Sequence, residues 1–565
     1  MNGVTTARQW AIAEPDWPRA RALANEADIP PLVAHLLLRR GIETKEAVRV
    51  FLFPALSQLT DPFLLTDMDR AVARITQARD RGERVMIFGD YDVDGVTGMA
   101  ILVQGFHRFG LTNFSYGMPL RLTEGYGINP DHVNAAHADG VTLIVTVDNG
   151  MGAHAAADRA RELGVDLIIS DHHAIEEPMP HALAVLNPKR EGPDYRGIHL
   201  CGAGVAFKLS TALNGTPNDL DIAAVGTVAD IVPLLDENRV IVALGIRHMT
   251  KYQRNGLAKL AWQAGFALPK VSAEKIGFQL GPRINAAGRL DDAAAALKLL
   301  LTECPNEAGD LARLLNKANE ERRNIEKGIF EEAAAELDAC FTAEKRSIVL
   351  GRPGWHPGVI GIVASRIESQ YHRPVVVIAI DDEGLGRGSA RGGPHFDLVG
   401  ALAACSSHLV KYGGHRAAAG ITIRQENISA FAAAFEEEAM RRLGPGEIIP
   451  ELEIDALAAF SQVDAALIKA LEVLEPIGRD NPGPIFCSLG VEVVPQSGQV
   501  LKERHLKMLV RQGDVSFEAI GFGMAELLFQ NALRGSLDIA YTPQFNNWNG
   551  ETRIQLLLKD VRKAE

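Results

Sequence analysis

The chain is 565 residues long, enough for about three or four domains of ordinary size with sizeable cores. With 47% hydrophobic and 23% charged residues, and no apolar run near the ~20 residues a membrane span needs, it reads as a soluble globular protein and excludes membrane insertion. Its 58 basic against 71 acidic residues, −13 overall, argue at first sight against a phosphate-rich partner.

The first residues lack a basic segment followed by an apolar stretch and a small-residue cleavage site, so no secretory signal is read and a cytoplasmic protein is expected. Up to residue 62, Leu32, Val33, Leu36, Leu37 and Leu38, then Val48, Phe51 and Leu52, are spaced as in a helical lead-in. From 63 to 306, short β-branched runs alternate with amphipathic helices. Val85 to Phe88 precedes a helix from Val96 to Phe109; Leu143 to Val147 precedes one from Ala153 to Leu163; Val165 to Ile169 follows. Two-sided apolar strands separated by helices predict a parallel sheet covered on both faces. Residues 307–342 read as one long connecting helix with no proline or clustered glycine. A second α/β unit, 343–444, carries strands at Ser347–Leu350 and Val375–Ile378 around a helix from Val359 to Gln370. Gly444, Pro445 and Gly446 mark a boundary, and 445–565 reads as a small β-barrel. The five cysteines are scattered and never spaced Cys-x-x-Cys, which argues against disulfides and thiolate zinc, so any metal must use oxygen and imidazole.

Acids and histidines stand at the C-terminal ends of successive predicted strands: Asp90, Asp92 and Asp94 after the first, Asp148 after the next, and Asp171, His172 and His173 after the third. A fourth acidic position, Asp230, follows another apolar run. One aspartate after a strand is ordinarily a turn former or helix cap. Three such clusters converge, because ligands of open α/β sheets bind beyond the carboxyl ends of the strands. So many carboxylates repel one another unless cations neutralise them. Oxygen ligands with imidazole suit Mn²⁺ or Mg²⁺, and there are enough for two ions sharing a carboxylate, an arrangement typical of phosphoester cleavage.

The four segments Asp90–Gly95, Val147–Gly150, Asp171–His173 and Gly226–Asp230 resemble the motifs of the DHH phosphoesterase superfamily. Gly281–Leu290, Trp355–Gly361, Gly386–Arg391 and Gly413–His415, with the barrel, resemble the RecJ family of single-strand-specific 5′-to-3′ DNA exonucleases over essentially the whole chain. The resemblance implies an α/β fold: a parallel-sheet DHH domain, a long connecting helix, a smaller DHHA1-type α/β domain and a C-terminal OB-like barrel. It implies Asp92, Asp94, Asp148, His172 and Asp230 as metal ligands, Asp148 bridging, with Asp90 and His173 supporting. Related superfamily members carry a histidine where this chain has Phe88, so water, Asp90 or substrate must complete one ion's shell.

For the substrate, Arg289, Ser389 and Arg391 match positions that hold the terminal 5′-phosphate, and charged, bidentate arginines suit that group. Arg121 and Tyr126 match strand-facing positions, and Arg283, Asn285, His356, Arg387 and His415 lie in the other matching segments. The glycines beside Arg289, Arg387 and Arg391 suit close backbone approach. Tyr541, Phe545 and Trp548 offer stacking surfaces in the barrel. The resemblance also implies work in DNA repair and recombination on single-stranded DNA with a 5′ end, beside a single-strand-binding protein and a RecQ-type helicase, as a monomer away from membranes. Two alternatives stay open: a DHH phosphoesterase acting on short oligoribonucleotides or cyclic dinucleotides, and a catalytically dead binding scaffold. The net charge no longer argues against DNA, since two divalent ions would offset the crevice acids. Between Arg387 and Arg424 there are also five basic residues and one acid.

Overall fold

The computed structural model describes residues 8–120, 124–175, 177–290, 293–342, 344–393, 396–445, 449–529, 533–548 and 551–564. The chain forms two compact units, one built chiefly from residues 60–232 and 244–448 and the other from 7–59, 233–243 and 449–565.

The second unit takes in the N-terminal segment. Strand β1 (Gln9–Ile12) is followed by helices α1 (Trp17–Ala27), α2 (Pro31–Arg39) and α3 (Lys45–Leu52). The lead-in expected to be wholly helical thus opens with a strand, because a partner edge far along the chain accepts it in parallel register, Gln9 opposite Glu451 and Ile12 opposite Ile454. Leu23, Val33, Leu36, Leu37, Val48 and Phe51 are buried in one core with barrel residues such as Phe486, Leu537 and Leu556.

The first unit begins with helix α4 (Met68–Arg81) and a five-stranded sheet of β2 (Arg84–Gly89), β3 (Phe114–Gly117), β4 (Val141–Val147), β5 (Asp166–Ser170) and β6 (Ala184–Leu186). The spatial order is β3-β2-β4-β5-β6 and every pairing is parallel. The chain passes from β2 outward to β3 and then back across to β4, so the order reverses between β2 and β4. That is the switch point at which open α/β sheets leave a crevice. Helices α5 (Val93–Phe109), α6 (Pro130–Ala138), α7 (His154–Leu163), α8 (Gly202–Asn214) and α9 (Leu220–Ala229) follow the strands. Phe88, Ile144, Leu167 and Ile169 pack on Val133, Ala136, Ala156 and Ala160 of α6 and α7. On α5, Gly98 faces β4, where a Cβ would fall 2.5 Å from Val147 Cγ1.

Further along come α10 (Asp236–Tyr252), α11 (Asn255–Gln263), the short α12 (Ala273–Lys275), a π-helical turn (Ile276–Leu280), α13 (Gly281–Leu290), α14 (Ala294–Leu301) and the long α15 (Pro305–Cys340). A mixed sheet in the order β10-β11-β9-β8-β7 completes the unit, from β7 (Ile348–Pro353), β8 (Val375–Ile380), β9 (Leu385–Arg391), β10 (Lys411–Gly414) and β11 (Ala418–Arg424), with α16 (Ile360–Tyr371), α17 (Leu398–Ala404) and α18 (Ile428–Leu443). Val363, Ala364 and Ile367 of α16 share a core with Val375, Val377 and Ala379 of β8 and with Ile329, Ala333 and Leu337 of α15.

In the second unit, β12 (Glu451–Ile454) receives β1, and β13 (Ala456–Leu457) leads to α19 (Ala465–Glu472) and β14 (Phe486–Val493). The strands β15 (Gln499–Leu501), β16 (His505–Gln512), β17 (Val515–Gly521), β18 (Ser536–Trp548) and β19 (Glu551–Lys563) follow. Pairing runs β14-β18-β19-β17-β16 and returns from β16 to β14, which closes the barrel the sequence predicted. Tyr541, expected to offer a stacking surface, is instead fully buried, its hydroxyl 2.9 Å from Ser488 Oγ. Phe545, four residues further along the same face of β18, is only half-buried and is the more accessible of the two. The Trp548 side chain lies outside the described residues.

Candidate active site

Each acidic cluster is placed by the strand that precedes it. β2 runs into Asp90, and Asp92 caps α5, its Oδ1 accepting from Asp94 N at 2.9 Å and Gly95 N at 3.1 Å. After β4, Asp148 adopts a left-handed φ of 62° and Gly150 one of 123°, a reversal that aspartate and glycine tolerate. After β5 comes Asp171, whose carboxylate ties its own loop to the one after β4: it accepts from His172 N at 2.7 Å and His173 N at 3.1 Å, and from Met151 N at 2.9 Å. The fourth acid, Asp230, follows a helix and not a strand, as the C-cap of α9. Helix α8 also points its N-terminus inward, where Gly202 N and Ala203 N donate to the two oxygens of Asp94 at 2.5 and 2.8 Å. Glycine is required at 202, since a Cβ there would lie 2.5 Å from Asp148 Cβ.

Three overlapping sets result, each with one atom per residue and all atoms within 4.8 Å: Asp90, Asp92 and Asp148; Asp148, His172 and His173; and Asp94, His172 and Asp230. Asp148 and His172 each belong to two sets. His172 Nε2 lies 3.2 Å from Asp148 Oδ1, 3.6 Å from Asp230 and 3.7 Å from Asp94. Burial, then repulsion from Asp94, Asp92 and Asp90, pushes the Asp148 carboxyl well above its ordinary range. Burial and Asp92 also raise Asp94, against the opposing pull of His172. The same burial pulls the His172 imidazole down to about 4, which leaves it neutral at pH 7 with a lone pair to donate. Asp148 Oδ1 is buried and accepts no hydrogen bond. Oxygen-rich sets with a neutral imidazole and unneutralised buried carboxylates fit divalent cations such as Mn²⁺ or Mg²⁺.

Around this cluster the side chains are fixed for other tasks. Burial pushes Asp171 up, but the hydrogen bond to His173 Nδ1, 2.7 Å away, the nearby charges of His173 and His172 and the Met151 N–H together hold the carboxyl below its ordinary value. His173 is correspondingly raised, its desolvation overcome by Asp171. Tyr126, 53% exposed, donates its hydroxyl to Asp148 O at 2.7 Å and lies 3.2 Å from His173 Nδ1. The His173 ring stacks on that of His415 in the second α/β domain, centroids 6.0 Å apart. Phe88, where superfamily members carry a histidine, is a core residue with its ring 4.7 Å from that of His132. Two side chains were not anticipated: Lys189, whose Nζ donates to His172 O at 2.5 Å, and Asn149, whose amide donates to Phe88 O and Val147 O. Asn149 lies in a segment already singled out and Lys189 does not, and an amide or amine reaching a backbone carbonyl leaves no periodic trace in sequence.

In the second α/β domain, Arg387, Ser389 and Arg391 alternate on one face of β9 while Gly386, Gly388 and Ala390 are buried on the other. Arg391 donates to Ser365 Oγ and Ser389 Oγ, both at 3.0 Å, and to Ala390 O at 2.7 Å, so it is held in place by its own strand and by α16. Arg387 is exposed. Arg289, at the end of α13, donates to Gly358 O at 3.1 Å, and His356 Nδ1 accepts from Gly358 N, so the two matching segments meet. Asn285 Oδ1 accepts from Val93 N at the start of α5. Arg283 is directed elsewhere, to Gln279 O and to Asn316 of α15. The glycines beside these arginines serve the protein's own packing. A Cβ would come 2.5 Å from Tyr91 O at Gly288 and 2.5 Å from Ile421 Cγ1 at Gly388. Arg121 lies outside the described residues.

A parallel sheet with a carboxylate and histidine cluster at its switch point, followed by a long helix and a mixed-sheet domain, defines a phosphoesterase of the DHH class. Family models agree: the DHH family N-terminal domain matches residues 84–229, the DHHA1 domain 344–441 and the RecJ OB domain 454–560. The single-stranded-DNA-specific exonuclease RecJ of Bacillus subtilis is 36% identical over 99% of this chain and 71% of its own length, and that of Escherichia coli 32% identical over 95% and 96%. The crystal structure of RecJ from Thermus thermophilus in complex with Mn²⁺ superposes with a TM-score of 0.84, at 32% identity, over 99% of this chain and 80% of that one. This chain belongs to the RecJ family.

Proposed function

We propose that the chain is a metal-dependent exonuclease that degrades single-stranded DNA from its 5′ end and releases 5′-mononucleotides, in DNA repair and recombination. The observation that carries this reading is the convergence of Asp90, Asp92, Asp94, Asp148, His172 and Asp230 at the switch point of the sheet, in a chain whose relatives are single-stranded-DNA-specific exonucleases. Two Mn²⁺ or Mg²⁺ ions would be held there, with Asp148 common to both. When bound, the ions supply the positive charge that stabilises an attacked phosphate and activates water.

The chain's own residues account for the rest. Asp92 and Asp94 are fixed by the N-termini of α5 and α8, so their carboxylates need no reorganisation when a cation enters. His173, oriented by Asp171, donates a proton in a hydrogen bond to the scissile phosphate or the departing oxygen. Arg289, Ser389 and Arg391 hold the terminal 5′-phosphate, and Arg387, Arg283, Asn285, His356 and His415 line or brace that side. With the end anchored, the next phosphodiester meets the carboxylates, which sets both the polarity and the one-nucleotide product. Tyr126 presents its ring to a base, and Arg121 is assigned to the same strand. The enzyme is inferred to act as a monomer in the cytoplasm, beside a single-strand-binding protein and a RecQ-type helicase. No described helix is long and apolar enough to cross a membrane.

The test compares end-labelled single-stranded DNA, duplex DNA and a short RNA, with Mn²⁺ and with EDTA. Mononucleotides from the 5′ end of the single strand, abolished by EDTA, are expected. Release from the 3′ end, or equal attack on the duplex, overturns the reading.

A further inference from the structure

Ile231 follows Asp230 at the end of α9 and adopts a left-handed backbone, φ 57°, with its N–H donating to Val228 O at 3.3 Å. This is the position after a helix cap that glycine normally fills, and a β-branched residue there is strained. Burial does not offset the strain, since Ile231 is 65% exposed. Nor does the turn itself require isoleucine, because glycine or asparagine makes the same reversal at lower cost. Strain at an exposed apolar side chain, one residue from the carboxylate cluster, is of the kind that gathers at functional sites.

A second exposed apolar residue belongs to an element that packs on the end of α9. Phe278, 80% exposed, sits in the π-helical turn, an irregularity frequent at functional sites. That turn packs on the last residues of α9: a Cβ at Gly277 would stand 3.5 Å from Val228 Cγ1, and one at Gly281 3.5 Å from Ala229 Cβ.

We propose that Ile231, with Phe278 from the adjoining turn, forms an apolar ledge at the lip of the carboxylate cluster against which a nucleobase of the bound strand packs. The assignment rests on the single-stranded DNA reading above. A ledge of this kind grips any base by its face, which suits a nuclease indifferent to sequence.

The experiment uses the full chain with Mn²⁺ and a 5′-phosphorylated single strand, and measures kcat, KM and the melting temperature. Ile231→Asn keeps the left-handed turn and melts at or above the parent, while its KM for the strand rises about tenfold. Ile231→Leu, which keeps the apolar surface, restores KM to within about twofold. Phe278→Ala changes only an exposed side chain and raises KM by about three- to tenfold, with the smaller change in kcat. The ledge is overturned if Ile231→Asn and Phe278→Ala leave KM unchanged, or if Ile231→Asn lowers kcat alone, which would make residue 231 a positioning element for Asp230. Should Ile231→Asn fail to fold, Phe278→Ala decides by itself. Failure of the parent to degrade single-stranded DNA would instead remove the functional reading on which the ledge rests.

Discussion

The two faces proposed to hold the strand differ in their electrostatics. At the ends of β2, β4 and β5, like charges are buried together, and burial raises Asp148 and Asp94 against ionisation. On β9, Arg391 is satisfied by Ser365, Ser389 and a backbone carbonyl, and the surface around it is half-open to water. The first site is incomplete without cations, whereas the second is finished by its own hydrogen bonds. An anion-binding surface can be built in advance from a fork of donors, but a cation site needs acceptors that repel one another until the ion arrives.

The contrast is broken most directly at Asp148. Asp148→Asn keeps the left-handed backbone but removes a shared charge, so activity with Mn²⁺ should fall by at least about a thousandfold while the metal-free protein melts no lower than the parent. A large loss of metal-free stability would mean that the carboxylate serves the fold. The next largest effect belongs to the arginine face. Arg391→Ala should weaken binding of a 5′-phosphorylated strand by about 10- to 100-fold, and of a 5′-hydroxyl strand far less, as read by fluorescence anisotropy. Equal losses would detach Arg391 from the terminal phosphate.

Mn²⁺ at about 100 times its dissociation constant should add about 2.7 kcal/mol of stability to the first unit, seen as a rise in melting temperature that EDTA reverses. The Arg391→Ala protein should show the same rise, and the Asp148→Asn protein little of it. The smallest effect is expected at Gly388, whose missing Cβ makes room for Ile421. Gly388→Ala should lower stability by about 1–3 kcal/mol in chemical denaturation and leave KM nearly unchanged. A large rise in KM would return that glycine to the ligand side.

Several of these features were legible in residues alone. Val141–Val147 is apolar at nearly every position and ends at an aspartate, so both the buried strand and the site at its end follow from short-range rules. The same holds for most of α5, expected from Val96 to Phe109 and found to begin at Val93, one turn earlier, where Asp92 caps it. Tyr541 could not be assigned by its residue type, because an aromatic on a barrel strand faces either in or out and register decides which. Asp171 and Asp148 both look like strand-end acids. One is consumed by three backbone N–H groups and a histidine, while the other is left with a buried oxygen that accepts no hydrogen bond.

By itself the sequence determined that a two-sided parallel sheet occupies the first α/β region, where several of its strands and helices lie, and that carboxylates and imidazoles gather beyond the strand ends. These depend on periodicity and capping, which act within a few residues. Tertiary structure alone decided that β1 joins β12 and that Arg289 reaches Gly358 O. It also decided that the glycines of β9 face Ile378 and Ile421, and that Ile231 stays exposed in a strained turn beside Asp230. Each of these is a relation between distant segments or a balance of burial against strain, and neither is written in local spacing.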